Sequence, residues 1–354
     1  MTRTVPGEGP HGSAHATDYA GAVAHYASPD RRDAVKRHWE EPLLRRLLDH
    51  VLSRVDVDGQ PLRILDVGCG GGGGLTLLDG TAHLQQTSTE LEYVGLDLDP
   101  HLLALARQDH GDDPRARFLH GDVRAGSPVE DVDLYLSTGV PYSHLTAEEL
   151  EEVVTGFFAA AAARHRPTAL VVDVLGRWST EWTSRWGQER WSYRMSFFEG
   201  DDSPPRAPMR VYDGQELLEL VARAAAQAGT ELDELVAVDR SLLVGRHSIT
   251  GDYTDTPPYR TLVNGLWDPT TTVEPNELYV EVPAAPAPAR IHTFYEEYAR
   301  AWNELVDQAR AAGWSERDQV TLAEQLRDLE VALQQGLGAG HSLTAVAVTR
   351  PVGR

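Results

Sequence analysis

The sequence has very little cysteine and no long apolar run. Its 354 residues include one cysteine, Cys69, which excludes an intramolecular disulfide and a cysteine-built zinc site. No apolar run reaches the roughly 18 to 20 residues that a membrane span requires, and the polar N-terminus lacks the apolar stretch of a signal peptide. We therefore expect a cytoplasmic protein with no membrane partner, and a disordered tail over residues 1–17.

Positive charge is also scarce. Aspartate and glutamate outnumber lysine and arginine by 54 to 32, the net charge is −22, and Lys36 is the single lysine. A protein that binds nucleic acid needs a positive surface to replace the counterions of the phosphate backbone, and no window here is rich in basic residues. We therefore expect no nucleic-acid partner. The histidines and carboxylates also lack the spacing of metal ligands, apart from the pair His11 and His15 in the tail, so we expect no metal.

Short apolar runs alternate with helical patterns along the first two thirds of the chain. Each run is typical of a strand that is buried on both faces. Strands that alternate with helices predict an α/β fold, with a doubly wound, mostly parallel sheet of seven strands and helices on both faces. The five clearest runs are residues 62–67, 93–98, 117–123, 131–139 and 169–175.

The last third of the chain departs from this alternation. Two further predicted strands, 236–246 and 343–350, are separated by proline-rich loops and two amphipathic helices. The apolar stripes of these helices must be buried somewhere, and we expect a homodimer contact, with a roof over the active site as the alternative. The predicted divisions are a tail (1–17), an N-terminal helical cap (18–58), a core (59–250), a helical insertion (251–340) and a last core strand (341–354).

A glycine-rich loop follows the first predicted strand. Gly68, Gly70 and Gly73 satisfy the G-x-G-x-x-G pattern, whose spacing does not separate a nicotinamide dinucleotide from S-adenosylmethionine. Asp66, at the entrance of the loop, would repel a pyrophosphate, whereas S-adenosylmethionine presents an ammonium and a sulfonium. The acid therefore favours S-adenosylmethionine.

Two further acids follow the next two strands. Asp97 ends the second strand, where a carboxylate can accept hydrogen bonds from both ribose hydroxyls of either cofactor. Asp122 follows the third strand, where a carboxylate can accept from an adenine amino group. Together the two acids predict a nucleoside site beside the glycine loop.

Three segments resemble the motifs of the class I (Rossmann-like) S-adenosylmethionine-dependent methyltransferases that act on small molecules. They are LDVGCGGGG, VGLDLDPHLLALAR and FLHGDVR, and the resemblance covers residues 60–175 well before fading in the insertion. It implies a Rossmann-like methyltransferase core that binds S-adenosylmethionine and releases S-adenosylhomocysteine. The implied cofactor contacts are Gly68, Gly70 and Gly72 to the methionine and ribose part, Asp97 to the ribose, Leu98, Asp122 and Val123 to the adenine, and Asp66 near the amino-acid end.

The segment after the fourth predicted strand, 137–145, is similar to the one that closes over the methionine moiety in this family, which makes Thr138 a cofactor contact. His144 is a candidate general base because its ordinary pKa lies near working pH, and packing at the next helix is the alternative. Tyr26 is a second catalytic candidate. The substrate-binding candidates are Tyr19, Tyr142, Trp178 and Trp182, whose alternative role is in the hydrophobic core or in a dimer contact.

The sequence therefore predicts methyl transfer from S-adenosylmethionine to an N, O or C atom of a small molecule. The alternatives are an NAD(P)-dependent oxidoreductase and a non-catalytic S-adenosylmethionine-binding protein. The first is disfavoured by Asp66 and by the lack of a Tyr-x-x-x-Lys pair.

Overall fold

The computed structural model describes residues 22–28, 31–55, 59–162, 164–195, 206–245, 248 and 250–350. The predicted tail and Tyr19 lie outside these ranges. No helix within them is long and apolar enough to cross a membrane.

A mostly parallel central sheet carries the fold. Five parallel strands and an antiparallel pair give the order β3-β2-β1-β4-β5-β9-β8. These seven strands correspond to the seven that the sequence predicts. The sheet has nine strands in total, because β7 pairs with the last two residues of β5 and β6 pairs with β7. The strands are β1 (Leu62–Val67), β2 (Leu91–Asp97), β3 (Ala116–His120), β4 (Leu134–Leu136), β5 (Ala169–Gly176), β6 (Arg190–Arg194), β7 (Arg206–Tyr212), β8 (Leu232–Arg240) and β9 (Ser342–Thr349).

Ten α-helices lie within the described ranges, and polar caps fix where several of them begin. Asp99 accepts hydrogen bonds from the backbone of His101 and Leu102 and so caps α5, whose first residue is a proline. Thr146 and Glu149 form a capping box at the start of α6. The helices are α1 (Val23–Ala27), α2 (Glu41–Val55), α3 (Gly73–Asp79), α4 (Ala82–Gln86), α5 (Pro100–His110), α6 (Ala147–Ala162), α7 (Gly214–Gln227), α8 (Tyr259–Leu266), α9 (Ala289–Ala312) and α10 (Glu316–Ala332).

The segment between β8 and β9 supplies α8, α9 and α10, and it packs against the chain itself. The apolar stripe of α9, which includes Phe294, Tyr298 and Trp302, is at most 2% exposed. It lies in one hydrophobic cluster with the tryptophans that follow β5. The Tyr295 hydroxyl also donates to the Trp178 carbonyl at 2.6 Å. The stripe therefore has a partner within the chain and no longer argues for a homodimer, which stays a prediction.

Candidate functional site

The glycine loop between β1 and α3 adopts a backbone that favours glycine. Gly68, Gly70 and Gly72 have φ angles of +68°, +51° and +82°, in the left-handed region. At Gly68 a Cβ would also lie 2.4 Å from the Cβ of Pro141. The loop therefore presents bare backbone to the space beyond the ends of the strands.

Asp97 is held in place at the end of β2. Its Oδ2 accepts from the Gly70 N–H at 2.8 Å, and its Oδ1 accepts from the Asp99 N–H at 2.8 Å. Burial raises the pKa of Asp97. Because each carboxylate oxygen can accept a second hydrogen bond, both remain able to bind a hydroxyl.

Asp122 and its neighbours form the opposite side of the site. Arg124 donates to both oxygens of Asp122, from Nε to Oδ1 at 3.0 Å and from Nη2 to Oδ2 at 2.6 Å, and lowers the pKa of that carboxyl. Arg124 also binds Glu149 at 3.0 Å. Leu98 is 42% exposed, which is unusual for a leucine and suits contact with a flat apolar ring.

These groups meet in a cavity beyond the carboxyl ends of β1, β2 and β3, where ligands of doubly wound folds bind. Nine of the predicted residues line this first cavity, and residues that the sequence did not single out, such as Arg190 and Pro208, line it as well. The nine predicted residues are Tyr26, Gly68, Gly70, Asp97, Leu98, Asp122 and Val123, with Tyr142 and His144 from the segment after β4.

A second cavity adjoins the first. The two share Tyr26, Gly68, Gly70, Gly139 and His144. The predicted cofactor contact Thr138 lines the second cavity, not the first. The wall of the second cavity also includes Tyr193 from β6, Met195 just after β6, and Met209 from β7.

Asp66 and Gly72 line neither cavity. Asp66 is 1% exposed, and its Oδ2 accepts from the Tyr93 hydroxyl at 2.5 Å. Its Oδ1 has no hydrogen-bond partner among the described residues, and burial raises its pKa to about 7. A Cβ on Gly72 would meet His110 at 2.7 Å, on the side of α5. Both residues therefore support the loop from beneath, and their contact with a cofactor stays a prediction.

His144 lies where the two cavities meet. Burial, together with the nearby charge of Arg190, lowers its pKa to about 4. The imidazole is therefore neutral near pH 7 and is a weaker base than an ordinary histidine.

Tyr26 and Tyr142 present neutral phenols. Burial raises the pKa of both hydroxyls. The Tyr26 ring lies beside Gly70, 3.7 Å from where a Cβ would stand, and the Arg31 guanidinium lies 4.2 Å from its centroid. Tyr26 therefore covers the glycine loop from the side of the N-terminal segment.

Trp178 and Trp182 lie in the hydrophobic core and line neither cavity. Trp178 Nε1 donates to Asp213 at 2.7 Å, and Trp182 Nε1 donates to the Gly176 carbonyl at 3.1 Å. Their exposed fractions are 6% and 0%. The wall that they were expected to form is instead built by the β6–β7 hairpin. Its sequence signal was the alternation of apolar Trp191, Tyr193 and Met195 with polar residues.

The arrangement fits S-adenosylmethionine. The bare glycine backbone leaves room for a close approach, and Asp97 offers two oriented acceptors. Within the described ranges no group of three or more His, Cys, Asp and Glu side chains is placed to hold a metal ion.

Comparison with known proteins gives a match for the part of the chain that contains the glycine loop. Residues 64–164 match the model of a methyltransferase domain family. A search of curated protein sequences gave no significant match.

Solved structures with a similar fold include several methyltransferases and a [4+2]-cyclase. A TehB-like methyltransferase from Corynebacterium glutamicum is 23% identical, with 60% of this chain and 86% of that chain covered and a TM-score of 0.35. An S-adenosylmethionine-dependent methyltransferase from Clostridium acetobutylicum is 10% identical, with 60% and 89% covered and a TM-score of 0.41. Phosphoethanolamine N-methyltransferase 2 from Haemonchus contortus, in complex with S-adenosyl-L-methionine, is 13% identical, with 85% and 51% covered and a TM-score of 0.37. Similarity at this level says nothing about the acceptor of this chain.

Proposed function

We propose that this chain, which belongs to the class I S-adenosylmethionine-dependent methyltransferases, transfers a methyl group to an N, O or C atom of a small molecule. The family match covers the glycine loop, Asp97 and Asp122, and it favours methyl transfer over the NAD(P)-dependent alternative. S-adenosylmethionine supplies the methyl group on its sulfonium, and the rest of the catalysis depends on the residues of this chain.

The observation that carries the proposal is the pair of adjoining cavities. The first cavity contains Asp97 and Asp122, which suit a nucleoside, and the second opens from it beside Tyr26 and His144. Methyl transfer is an in-line displacement, so donor and acceptor must meet end to end with water excluded. The nucleoside then occupies the first cavity, and the methionine end of the cofactor, near Thr138, meets the acceptor in the second.

The second cavity supports a small acceptor of partly apolar character. Tyr193, Met195 and Met209 are at most 3% exposed and form a dense, polarisable surface. A cavity between packed elements suits a small molecule better than a polymer. The net charge of −22 also disfavours a nucleic acid as the acceptor, because most of the surface would repel its phosphates.

His144 and Tyr26 have distinct roles in the proposal. The neutral His144 accepts a proton from an O–H or N–H acceptor as the new bond to carbon forms. The protonated Tyr26 hydroxyl donates a hydrogen bond and, with its ring, covers the reacting groups. Substrates that attack through a neutral amine need little help from either group.

Two further predictions concern the setting of the enzyme. The homodimer would give about twice the chain mass of 38.9 kDa in light scattering, and a monomer would give that mass itself. The cytoplasmic location rests on the single cysteine. Neither enters the argument for the reaction.

The proposal is tested by release of S-adenosylhomocysteine. The full chain is incubated with S-adenosylmethionine and a library of metabolites, with Asp97→Ala as the matched control for turnover at this site. We expect product with a subset of small molecules and loss of that signal in the variant. Release only with a nucleic acid or a protein as acceptor would contradict the small-molecule proposal.

A further inference from the structure

A buried arginine on α8, in the segment between β8 and β9, joins that helix to the N-terminal part of the chain. The guanidinium of Arg260 binds both oxygens of Asp33, from Nε at 2.8 Å and from Nη2 at 2.9 Å. Its Nη1 donates to Glu40 Oε1 at 2.7 Å and to the Val244 carbonyl at 2.6 Å. All three nitrogens of the guanidinium therefore have acceptors, and both of the acidic partners belong to the N-terminal segment.

Asn264, one helical turn after Arg260, binds the same stretch of chain. Its Oδ1 accepts from the Val35 N–H at 2.7 Å, and its Nδ2 donates to Asp33 Oδ2 at 3.0 Å. Residues at this spacing lie on one face of a helix. That face of α8 therefore holds both the backbone and a carboxylate of residues 33–35.

The held stretch leads back along the chain to Tyr26, which covers the glycine loop. Arg31, two residues before Asp33, places its guanidinium 4.2 Å from the centroid of the Tyr26 ring. That ring lies beside Gly70, 3.7 Å from where a Cβ would stand. Contacts therefore connect α8, through Asp33 and Arg31, to the ring that lies where the two cavities meet.

The helix that carries Tyr26 depends on contacts outside itself. This helix, α1, has five residues, and none of them is fully buried. A helix of that length is unstable in water on its own, so its position must come from the chain on either side. Ala22 before it and Val35 after it lie in the hydrophobic core, and Val35 is also bound by Asn264. The contacts with α8 therefore help to set where Tyr26 lies.

A buried guanidinium with carboxylate partners is a weak source of stability. Taking these charges out of water offsets much of their attraction, and well-packed apolar side chains often stabilise a fold as well. What the arginine adds is geometry, because its planar fork fixes the orientation of Asp33 through two hydrogen bonds. The arrangement therefore suits the placement of a segment better than it suits stability alone.

We propose that Arg260 is a positioning residue for the cofactor site, which acts through Asp33 and Arg31 to hold the Tyr26 ring against the glycine loop. Asn264 supports the same placement. This inference rests on the proposed function, since it takes the glycine loop as the place where S-adenosylmethionine binds. It gives the insertion a third role, beside the homodimer contact and the roof that the sequence predicts, namely to orient the N-terminal segment.

The test is a double-mutant cycle on cofactor affinity in the full chain, with Arg260→Lys and Tyr26→Ala. Lysine keeps the charge but loses the planar fork. Arg260→Lys should raise the dissociation constant of S-adenosylhomocysteine about three- to tenfold, and it should have no further effect in a chain that already carries Tyr26→Ala. Substitutions at residues that do not touch normally have additive effects, so this non-additivity measures coupling through the segment.

Arg164→Lys is the matched control. The side chain of Arg164 is 10% exposed, as is that of Arg260, and it binds the buried Asp133 just before β4, at the opposite edge of the sheet from both cavities. Both substitutions should lower the temperature of unfolding, whereas only Arg260→Lys should weaken S-adenosylhomocysteine binding. Asn264→Ala, which removes no charge, takes the place of Arg260→Lys in the cycle if the lysine variant fails to fold.

Two results would overturn the proposal. One is an unchanged dissociation constant in the folded variants of Arg260 and Asn264. The other is an equal loss of affinity with and without the Tyr26 side chain, which would show that Arg260 does not act through Tyr26. The cycle measures affinity and not turnover, so it gives its answer even where no small molecule is methylated, and that failure would count against the proposed function alone.

Discussion

Asp97 joins the glycine loop to the proposed ribose site, and its replacement by alanine tests both roles. The carboxylate accepts from the Gly70 and Asp99 N–H groups at 2.8 Å each, which leaves lone pairs for ribose hydroxyls. A hydrogen bond to a charged group contributes about 1.5 to 3 kcal/mol. Asp97→Ala should therefore raise the dissociation constant of S-adenosylhomocysteine about 10- to 150-fold.

Calorimetric titration of both proteins measures this change. Asp112→Ala is the matched control, because Asp112 is exposed and lines neither cavity. Thermal unfolding shows whether the variant remains folded without the carboxylate that orients the loop. An unchanged dissociation constant in a folded Asp97→Ala variant would refute the ribose assignment.

Three other predictions concern the base, the loop and the core. His144→Ala should lower turnover up to about 100-fold and leave cofactor affinity unchanged, and equal turnover of the variant and the wild type would show that His144 only packs against its neighbours. The wild-type rate should fall only below about pH 5, since the pKa of the imidazole is about 4. Gly68→Ala should lower the free energy of unfolding in urea by about 1 to 3 kcal/mol, because φ at Gly68 is +68° and the new Cβ would lie 2.4 Å from the Pro141 side chain. Gly73→Ala is the control and should cost less, since nothing lies within 4 Å of its Cβ. Equal costs of the two substitutions would show that Gly68 is not required by strain. Burial raises the pKa of Glu330 to about 7, so the folded state binds the proton of this carboxyl more tightly than the unfolded state does. The free energy of unfolding should therefore fall as pH rises from about 4.5 to 7, and it should fall less steeply in the Glu330→Gln variant. A rise in the free energy of unfolding over that range would contradict this prediction.

The grouping of the proposed cofactor residues was predictable because its signals are local in the sequence. Glycines that need a left-handed backbone and acids at the ends of strands keep their meaning once the strand order is known. Leu98, Asp97 and Asp122 therefore meet in one cavity as the sequence predicted. Asp66 shows the limit, since the sequence does not reveal that its side chain turns toward Tyr93 and away from the cavity.

The acceptor side was less predictable because it depends on long-range packing. A run of tryptophans indicates burial but not the surface against which it is buried, and Trp182 packs in the core beside His341 rather than at a cavity wall. The β6–β7 hairpin occupies that wall because β7 pairs with the last residues of β5. The contacts of Arg260 also depend on the fold, since it reaches Asp33 and Glu40 from a distant segment.

A crystal structure with S-adenosylhomocysteine tests the central claim most directly. The account predicts the ribose on Asp97, the adenine beside Leu98 and Asp122, and the sulfur facing the second cavity between Tyr26 and His144. An adenosine bound elsewhere, or a sulfur that faces away from the second cavity, would contradict the proposal that the acceptor binds there.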